Sequence, residues 1–348
     1  MSLKKIFMLQ SGELQCPASV AEQSDGREDI GANGETMSGK KILITGSEGL
    51  LGKAARGALE KAGYAVSGCD LRAAAAAEKF DFRDARKIRA ALMRCDGVLH
   101  LAALSRVIWG ETHPVLCRDI NVGGMRMLLK TIAGTPRKLW LICASSREIY
   151  GTPPGLPCTP DAPPRPENLY ARTKLAGERM IWRMRRRGFR VAVVRFSNVF
   201  GSVDDYPDRV VPAFAGAAAC GGVLRVRGAD SVLDFTPLSD AADAIVRVVR
   251  AVDEGAADLP PIDVVTGRAT SLMELAQMAI SYGGGRIAVA PPRACYPARF
   301  QGDPRPAKHY LGWTPKESLE NAVGRLVDRF KTTSDAYTQN HSWLSAAL

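Results

Sequence analysis

Lys41-Ile42-Leu43-Ile44-Thr45 runs directly into Gly46-Ser47-Glu48-Gly49-Leu50-Leu51-Gly52, and this stretch decides the fold. The first five residues are mostly β-branched or apolar, as a strand buried on both faces requires. Glycines follow at 46, 49 and 52, and the apolar spacing from Leu50 to about Lys61 predicts a helix. A strand, a tight glycine turn and a helix open a βαβ unit. Gly46 serves the turn, Gly49 removes a side chain where a pyrophosphate would approach, and Gly52 lets the helix pack close to the strand. The helix N-terminus then faces the phosphates of a dinucleotide.

The next strand, Tyr64 to Asp70, ends in an acid 18 residues after Gly52. A carboxylate there accepts hydrogen bonds from a ribose hydroxyl and repels a 2′-phosphate, which reads as NAD rather than NADP. Arg72 lies close enough to soften that preference.

The same unit then repeats. Gly97 to Ala103, Lys138 to Ala144 and Arg190 to Arg195 are short apolar runs, separated by helical stretches at about Asp84 to Arg94, Arg118 to Ala133 and Leu169 to Arg187. Alternation of this kind predicts an α/β fold, a doubly wound parallel sheet (Rossmann fold) with right-handed crossovers. Ligands bind beyond the carboxyl ends of such strands, where Ala144-Ser145-Ser146 falls. Residues 38–201 plus 233–265 are expected to form the nucleotide-binding domain. A smaller C-terminal substrate lobe should come from 202–232 plus 266–330, with 331–348 as a tail. Ser271 to Ala279 has the periodicity of a helix in that lobe.

Tyr170-Ala171-Arg172-Thr173-Lys174 adds proton chemistry. Residues four apart share one helix face. A phenol titrates near ~10, and an adjacent ammonium favours the phenolate, so Lys174 is expected to lower the pKa of Tyr170. Tyr170 would then take a proton from a substrate hydroxyl as hydride leaves.

In order, these motifs resemble those of the extended short-chain dehydrogenases/reductases in the NAD-dependent epimerase/dehydratase family, over about Lys41 to Ala322. Thr45 to Gly52 resembles the family's Thr-Gly-x-x-Gly-x-x-Gly. Asp81-Phe82-Arg83-Asp84, His100-Leu101-Ala102-Ala103 and Asn121 resemble its next landmarks. Ser145-Ser146-Arg147-Glu148-Ile149-Tyr150-Gly151 resembles the catalytic strand end, and Arg195 to Gly201 the segment that carries a substrate asparagine. Leu311 to Pro315 resembles the C-terminal signature. The resemblance implies Ser146, Tyr170 and Lys174 as catalytic residues. It implies Gly46, Glu48, Gly49, Leu50, Leu51, Gly52, Asp70, Arg72, Asp81, Phe82, Leu101, Ala102, Ala103, Asn121, Ala144, Tyr170 and Lys174 at NAD. Ser145, Ser146, Glu148 and Asn198 are implied at substrate, with no metal. It also implies a homodimer built on the Asn121 and Tyr170 helices.

Two departures bear on substrate. Relatives usually carry a diphosphate-binding arginine where Leu233 stands, so Arg225, Arg227, Arg299 and Arg305 are the candidates to replace its charge. Dehydratases carry an acid pair after the catalytic hydroxyl, whereas here Arg147 precedes Glu148. A guanidinium stays charged and is no general acid, which argues against dehydration.

Composition sets the remaining bounds. The chain of 348 residues is long enough for a full core and a smaller lobe. No apolar run approaches the ~18–20 residues that span a membrane. Eight scattered cysteines, without a Cys-x-x-Cys pair or a grouping with the four histidines, read as reduced thiols of a cytoplasmic protein. Residues 1–37 are polar and aperiodic, and are expected to be a disordered extension rather than a signal peptide. The formal charge of +11 concentrates partly in Arg183 to Arg190, where cations complement a helix C-terminus and Gly188 caps it. A solvated helix end is preferred there over nucleic-acid contact. Three readings follow. The first is an NAD-dependent sugar-nucleotide epimerase that transiently oxidises a sugar hydroxyl. The second is a dehydrogenase or reductase of a hydroxyl substrate lacking a nucleotide diphosphate, and the third a non-catalytic NAD-binding module.

Overall fold

The structure, a computed structural model, describes residues 39–292 and 299–340. The expected extension at 1–37 lies outside the described residues, as does everything after 340.

Strand β1 (Lys41–Thr45) buries Ile42, Leu43 and Ile44 completely and turns into helix α1 (Leu50–Lys61). It sits between β2 (Ala65–Cys69) and β3 (Gly97–His100), parallel to both. Then come β4 (Trp140–Ser146), β5 (Val191–Phe196) and, after β6 (Val223–Arg227) in the smaller lobe, β7 (Ile262–Val264). The parallel order across the sheet is β7-β5-β4-β3-β1-β2. The chain leaves β1 toward β2 and returns on its other side as β3. A crevice therefore opens at the carboxyl ends of β1 and β3. The strands need apolar residues on both faces because helices cover both: α1 and α8 (Leu238–Asp253) on one, α2 (Ala85–Leu92), α5 (Met125–Ala133) and α6 (Leu169–Arg185) on the other.

Expected and observed elements agree in kind and differ at their edges. The third strand stops at His100, because Leu101 to Ala103 form the cavity rim instead. The helix expected from Arg118 is preceded by α3 (Val107–Thr112) and α4 (Pro114–Arg118), and it opens as a π-helical turn at Asp119–Gly124. Gly188 adopts φ +84° after α6, as expected of a cap. Around it, Arg185 donates to the carbonyls of Val191 and Leu259 at 3.0 and 2.6 Å, and Arg190 to those of Val252 and Asp253. Part of the basic run thus satisfies carbonyls rather than facing a partner.

The smaller lobe packs α7 (Val210–Ala219), β6, α9 (Leu272–Tyr282), β8 (Arg286–Ala290) and α10 (Leu319–Asn340) around Phe214, Leu224, Leu275, Leu326 and Phe330. A capping box starts α9: Ser271 Oγ accepts from Glu274 N at 3.1 Å, and Glu274 accepts from Ser271 N at 2.7 Å. The cores do not split where sequence suggested. Ile149, Tyr150 and Cys158 join the lobe core, whereas Ala307 and Trp313 return to the sheet core. The expected tail boundary at 330 falls inside α10. Among the described residues, no helix is long and apolar enough to cross a membrane.

Candidate active site

A cavity of about 980 Å³ occupies the crevice, between the β1–α1 loop, the ends of β3 and β4, the start of α6 and the smaller lobe. Every residue expected at cofactor or substrate lines it except Asn121.

The glycine loop is set by backbone contact. Gly46 has φ +77°, and a Cβ there would stand 2.7 Å from Ala102 N. A Cβ at Gly52 would stand 2.1 Å from Gly46 O, so loop and helix touch with no room for a side chain. Gly49 caps α1 without a side-chain hydrogen bond, which leaves first-turn N–H groups for an anion. At the end of β2, Asp70 accepts from Glu48 N at 3.1 Å and from Arg72 N at 2.9 Å. Arg72 Nε lies 3.5 Å from the same carboxylate. Asp81, Phe82, Leu101, Ala102, Ala103 and Ala144 continue the wall. The buried Ser145 Oγ has no partner among the described residues. These residues fit a dinucleotide: backbone donors for a pyrophosphate, a carboxylate for a ribose, an apolar wall and an orphaned hydroxyl.

The proton chemistry lies across from the loop. Asn168 caps α6 by accepting from Ala171 N at 2.8 Å, which places Tyr170 and Lys174 one turn apart at its mouth. Lys174 Nζ donates to Ala144 O at 2.9 Å and stands 5.8 Å from the Tyr170 ring centroid. Ser146 Oγ accepts from Glu148 N at 3.2 Å, and Ser146 favours deprotonation of the nearby Tyr170 hydroxyl. Glu148 is held between Arg147 Nη2 at 2.7 Å and Asn168 Nδ2 at 2.9 Å. Asn198 donates to Asp234 O at 2.8 Å and faces Arg147 Nη2 at 3.4 Å.

The expectation that Lys174 lowers the Tyr170 pKa is reversed in the protein alone. Burial, and then the Glu148 carboxylate, push the phenol well above its usual value, against the opposing effects of Ser146 and then Arg209. Burial likewise lowers the pKa of Lys174, weakening the cation that was to act on Tyr170.

Asn121 is the second correction. In the π-helical turn it accepts from Leu104 N at 2.8 Å and donates to Leu104 O and to Thr173 Oγ1, at 3.1 and 3.0 Å. It ties the β3 rim to α6 and acts on the cavity through them.

Sequence reasoning missed Arg106, Trp109, Tyr206 and Asp208, all cavity-lining. Arg106 makes a two-point ion pair with Asp208, one arm 2.6 Å long, and its guanidinium lies 4.9 Å from the Tyr206 ring and 5.6 Å from that of Trp109. The pair joins the rim after β3 to the lobe, and its members are 102 residues apart, so no local spacing announces it.

His100 ends β3 buried, hydrogen-bonded to Thr45 Oγ1 at 2.7 Å. Burial, and then Lys174, push its pKa down to about 3 from 6.5. Its folded value is depressed, so it destabilises as pH falls from 6.5 toward 3, where only the unfolded chain takes up the proton. At pH 5 this amounts to about 2 kcal/mol. Denaturant titrations at pH 7 and pH 5 should show a smaller loss for His100→Gln than for the parent. Equal losses would remove His100 as the cause.

The sequence model of the NAD dependent epimerase/dehydratase family matches residues 42–260. The chain is 30% identical over 310 residues to a UDP-glucose 4-epimerase of Streptomyces lividans, covering 81% of this chain and 93% of that one. It is 28% identical to the UDP-glucose 4-epimerase of Lactobacillus helveticus, over 85% of this chain and 99% of that one. Among solved structures, UDP-glucose 4-epimerase from Brucella ovis in complex with NAD superposes with a TM-score of 0.76 at 26% identity, over 84% of this chain and 98% of that one. The UDP-glucose 4-epimerase of Thermus thermophilus, also in complex with NAD, gives 0.74 at 25%, over 84% and 99%. The matched span includes the glycine loop, Asp70, Ser146, Tyr170 and Lys174, and the chain belongs to the NAD dependent epimerase/dehydratase family, as an NAD-dependent enzyme of the extended short-chain dehydrogenase/reductase type.

Proposed function

We propose that the protein is a nucleotide-sugar epimerase that inverts a sugar carbon by transient oxidation of its hydroxyl. One observation carries this reading: Ser146, Tyr170 and Lys174 converge on the cavity that the glycine loop lines from the other side. When bound, NAD supplies a hydride acceptor that returns the same hydride, and a positively charged ring. Tyr170 takes the hydroxyl proton as that hydride leaves, and Ser146, beside the phenol, holds the oxygen in line. Lys174 is anchored on the Ala144 carbonyl, which keeps its ammonium beside Tyr170. After the keto sugar turns over, Tyr170 returns the proton to the same oxygen while the hydride enters the opposite face, so no net oxidant is used. Arg147 is paired with Glu148 and remains charged, which supports epimerisation over dehydration.

The relatives' names supply the substrate class, UDP-glucose. A panel of nucleotide-sugars followed by proton NMR, with the NADH absorbance band read in parallel, tests it. An isomerised sugar without accumulating NADH is expected. NADH rising in step with product would replace the epimerase by a dehydrogenase, the reading that the apolar Leu233 on the cavity wall favours.

A homodimer is part of the proposal. Ile108 and Val115, on helices that pack against α6, are 41% and 77% exposed, as an apolar dimer face requires, and a light-scattering mass of one chain would refute it. Six free cysteines among the described residues support a cytoplasmic setting.

A further inference from the structure

The cavity carries a charge pattern that the proton chemistry does not use. Seven arginines line it. Five are neutralised in place: Arg72 by Asp70, Arg83 by Asp81, Arg106 by Asp208, Arg147 by Glu148 and Arg209 by Asp205. The side chains of the other two, Arg225 and Arg227, have no ion pair or hydrogen bond among the described residues.

Both sit on β6, where alternation drives Leu224 and Val226 into the lobe core and leaves the arginines on the opposite, exposed face. The parallel partner β8 sets Ala288 beside Arg225 and Ala290 beside Arg227, so on that side only methyl groups flank them. Residues two apart on a strand are spaced by about 6.6 Å, within which two long side chains converge on one anion. Leu233 also lines the cavity, nine-tenths buried and paired with Thr270, and offers no charge. Of the other two candidates, Arg305 is spent on Asp303 with an 80% exposed side chain, and neither it nor Arg299 lines the cavity.

We propose that Arg225 and Arg227 together bind the diphosphate of the substrate, so that the anion anchor stands on β6 and not at position 233. Guanidinium groups bind phosphate oxygens two at a time, and two unpaired ones in a cavity whose other arginines are paired select a doubly phosphorylated linkage over a neutral sugar. The inference rests on the nucleotide-sugar reading and names the residues that hold that substrate class.

The test is calorimetric titration of the NAD-loaded protein with UDP, inorganic pyrophosphate and inorganic phosphate, on the parent, on Arg225→Gln/Arg227→Gln and on Arg225→Lys/Arg227→Lys. UDP and pyrophosphate should compete, with phosphate far weaker. The glutamine variant should lose about 100-fold in UDP affinity, and the lysine variant should recover part of it. Bound NAD and melting temperature should stay at parent values in both. Unchanged UDP affinity in the glutamine variant overturns the proposal. So does a parent that binds phosphate as well as pyrophosphate, which would make the anchor a single-phosphate site, or a parent that binds none of the three. Titration reads no turnover, so the two failures separate. Arginine-dependent UDP binding without isomerised sugar would remove the epimerase reading alone. Isomerisation with an unchanged KM in the glutamine variant would remove this one alone.

Discussion

Tyr170→Phe should lower kcat by about 10²–10⁴-fold, the range that a positioned acid–base group contributes, with KM and bound NAD close to parent. The substitution removes one oxygen from a buried ring, so packing in α6 is retained. It deletes the hydroxyl on which Ser146 acts and leaves Lys174 on its Ala144 carbonyl. Loss in kcat with KM intact is the signature of an interaction made in the transition state. Activity within twofold of parent would remove Tyr170 as the acid–base group. The shifted phenol adds a pH signature. Burial and Glu148 hold it above its usual value, so the deprotonated fraction at neutral pH is smaller than in a free tyrosine. Glu148→Gln removes the charge and should move the rising limb of the pH–rate profile to lower pH.

Gly52→Val should abolish NAD retention and cost about 3 kcal/mol or more of stability, at the upper end of overpacking penalties. The obstacle is backbone: the first side-chain atom would meet Gly46 O at 2.1 Å and Ser47 C and O at 2.7 Å, and no rotamer relieves that. The loop must move away from α1, breaking the Gly49 N to Gly46 O hydrogen bond of 3.1 Å that shapes the anion cradle. A melting-temperature drop of roughly 6–12 °C is expected for a chain of this size, together with loss of the 260 nm contribution of bound nucleotide after gel filtration. Gly57→Ala is the control. It lies in the same helix with nothing within 4 Å of its added Cβ, and should be neutral or stabilising by about 0.5–1 kcal/mol. A Gly52→Val protein that retains NAD and melts with the parent would refute the close-contact account.

Both of these residues were legible in the chain because what they do is local. A glycine needed for a turn, or a tyrosine and a lysine one helical turn apart, is encoded within a few residues. The doubly wound sheet was legible for the same reason, since strands buried on both faces require continuous apolar runs such as Ile42 to Ile44. The lobe was less so: the cores exchange residues 149–158 and 305–313 because packing follows proximity in space and ignores sequence boundaries.

The sequence by itself determined the fold class and the glycine loop, and it offered the residues proposed as the catalytic set, each of which rests on backbone geometry or short-range spacing. Tertiary structure decided how those groups are charged and held. It placed Glu148 beside Tyr170 and raised the phenol's pKa, and turned Asn121 from the cavity to a tie between Leu104 and Thr173. It joined Arg106 to Asp208, and of four arginines offered by the sequence left Arg225 and Arg227 at the cavity without an ion pair among the described residues. Burial and electrostatics sum over neighbours that are distant in the chain, so they exist only once the sheet and the lobe have closed around the site.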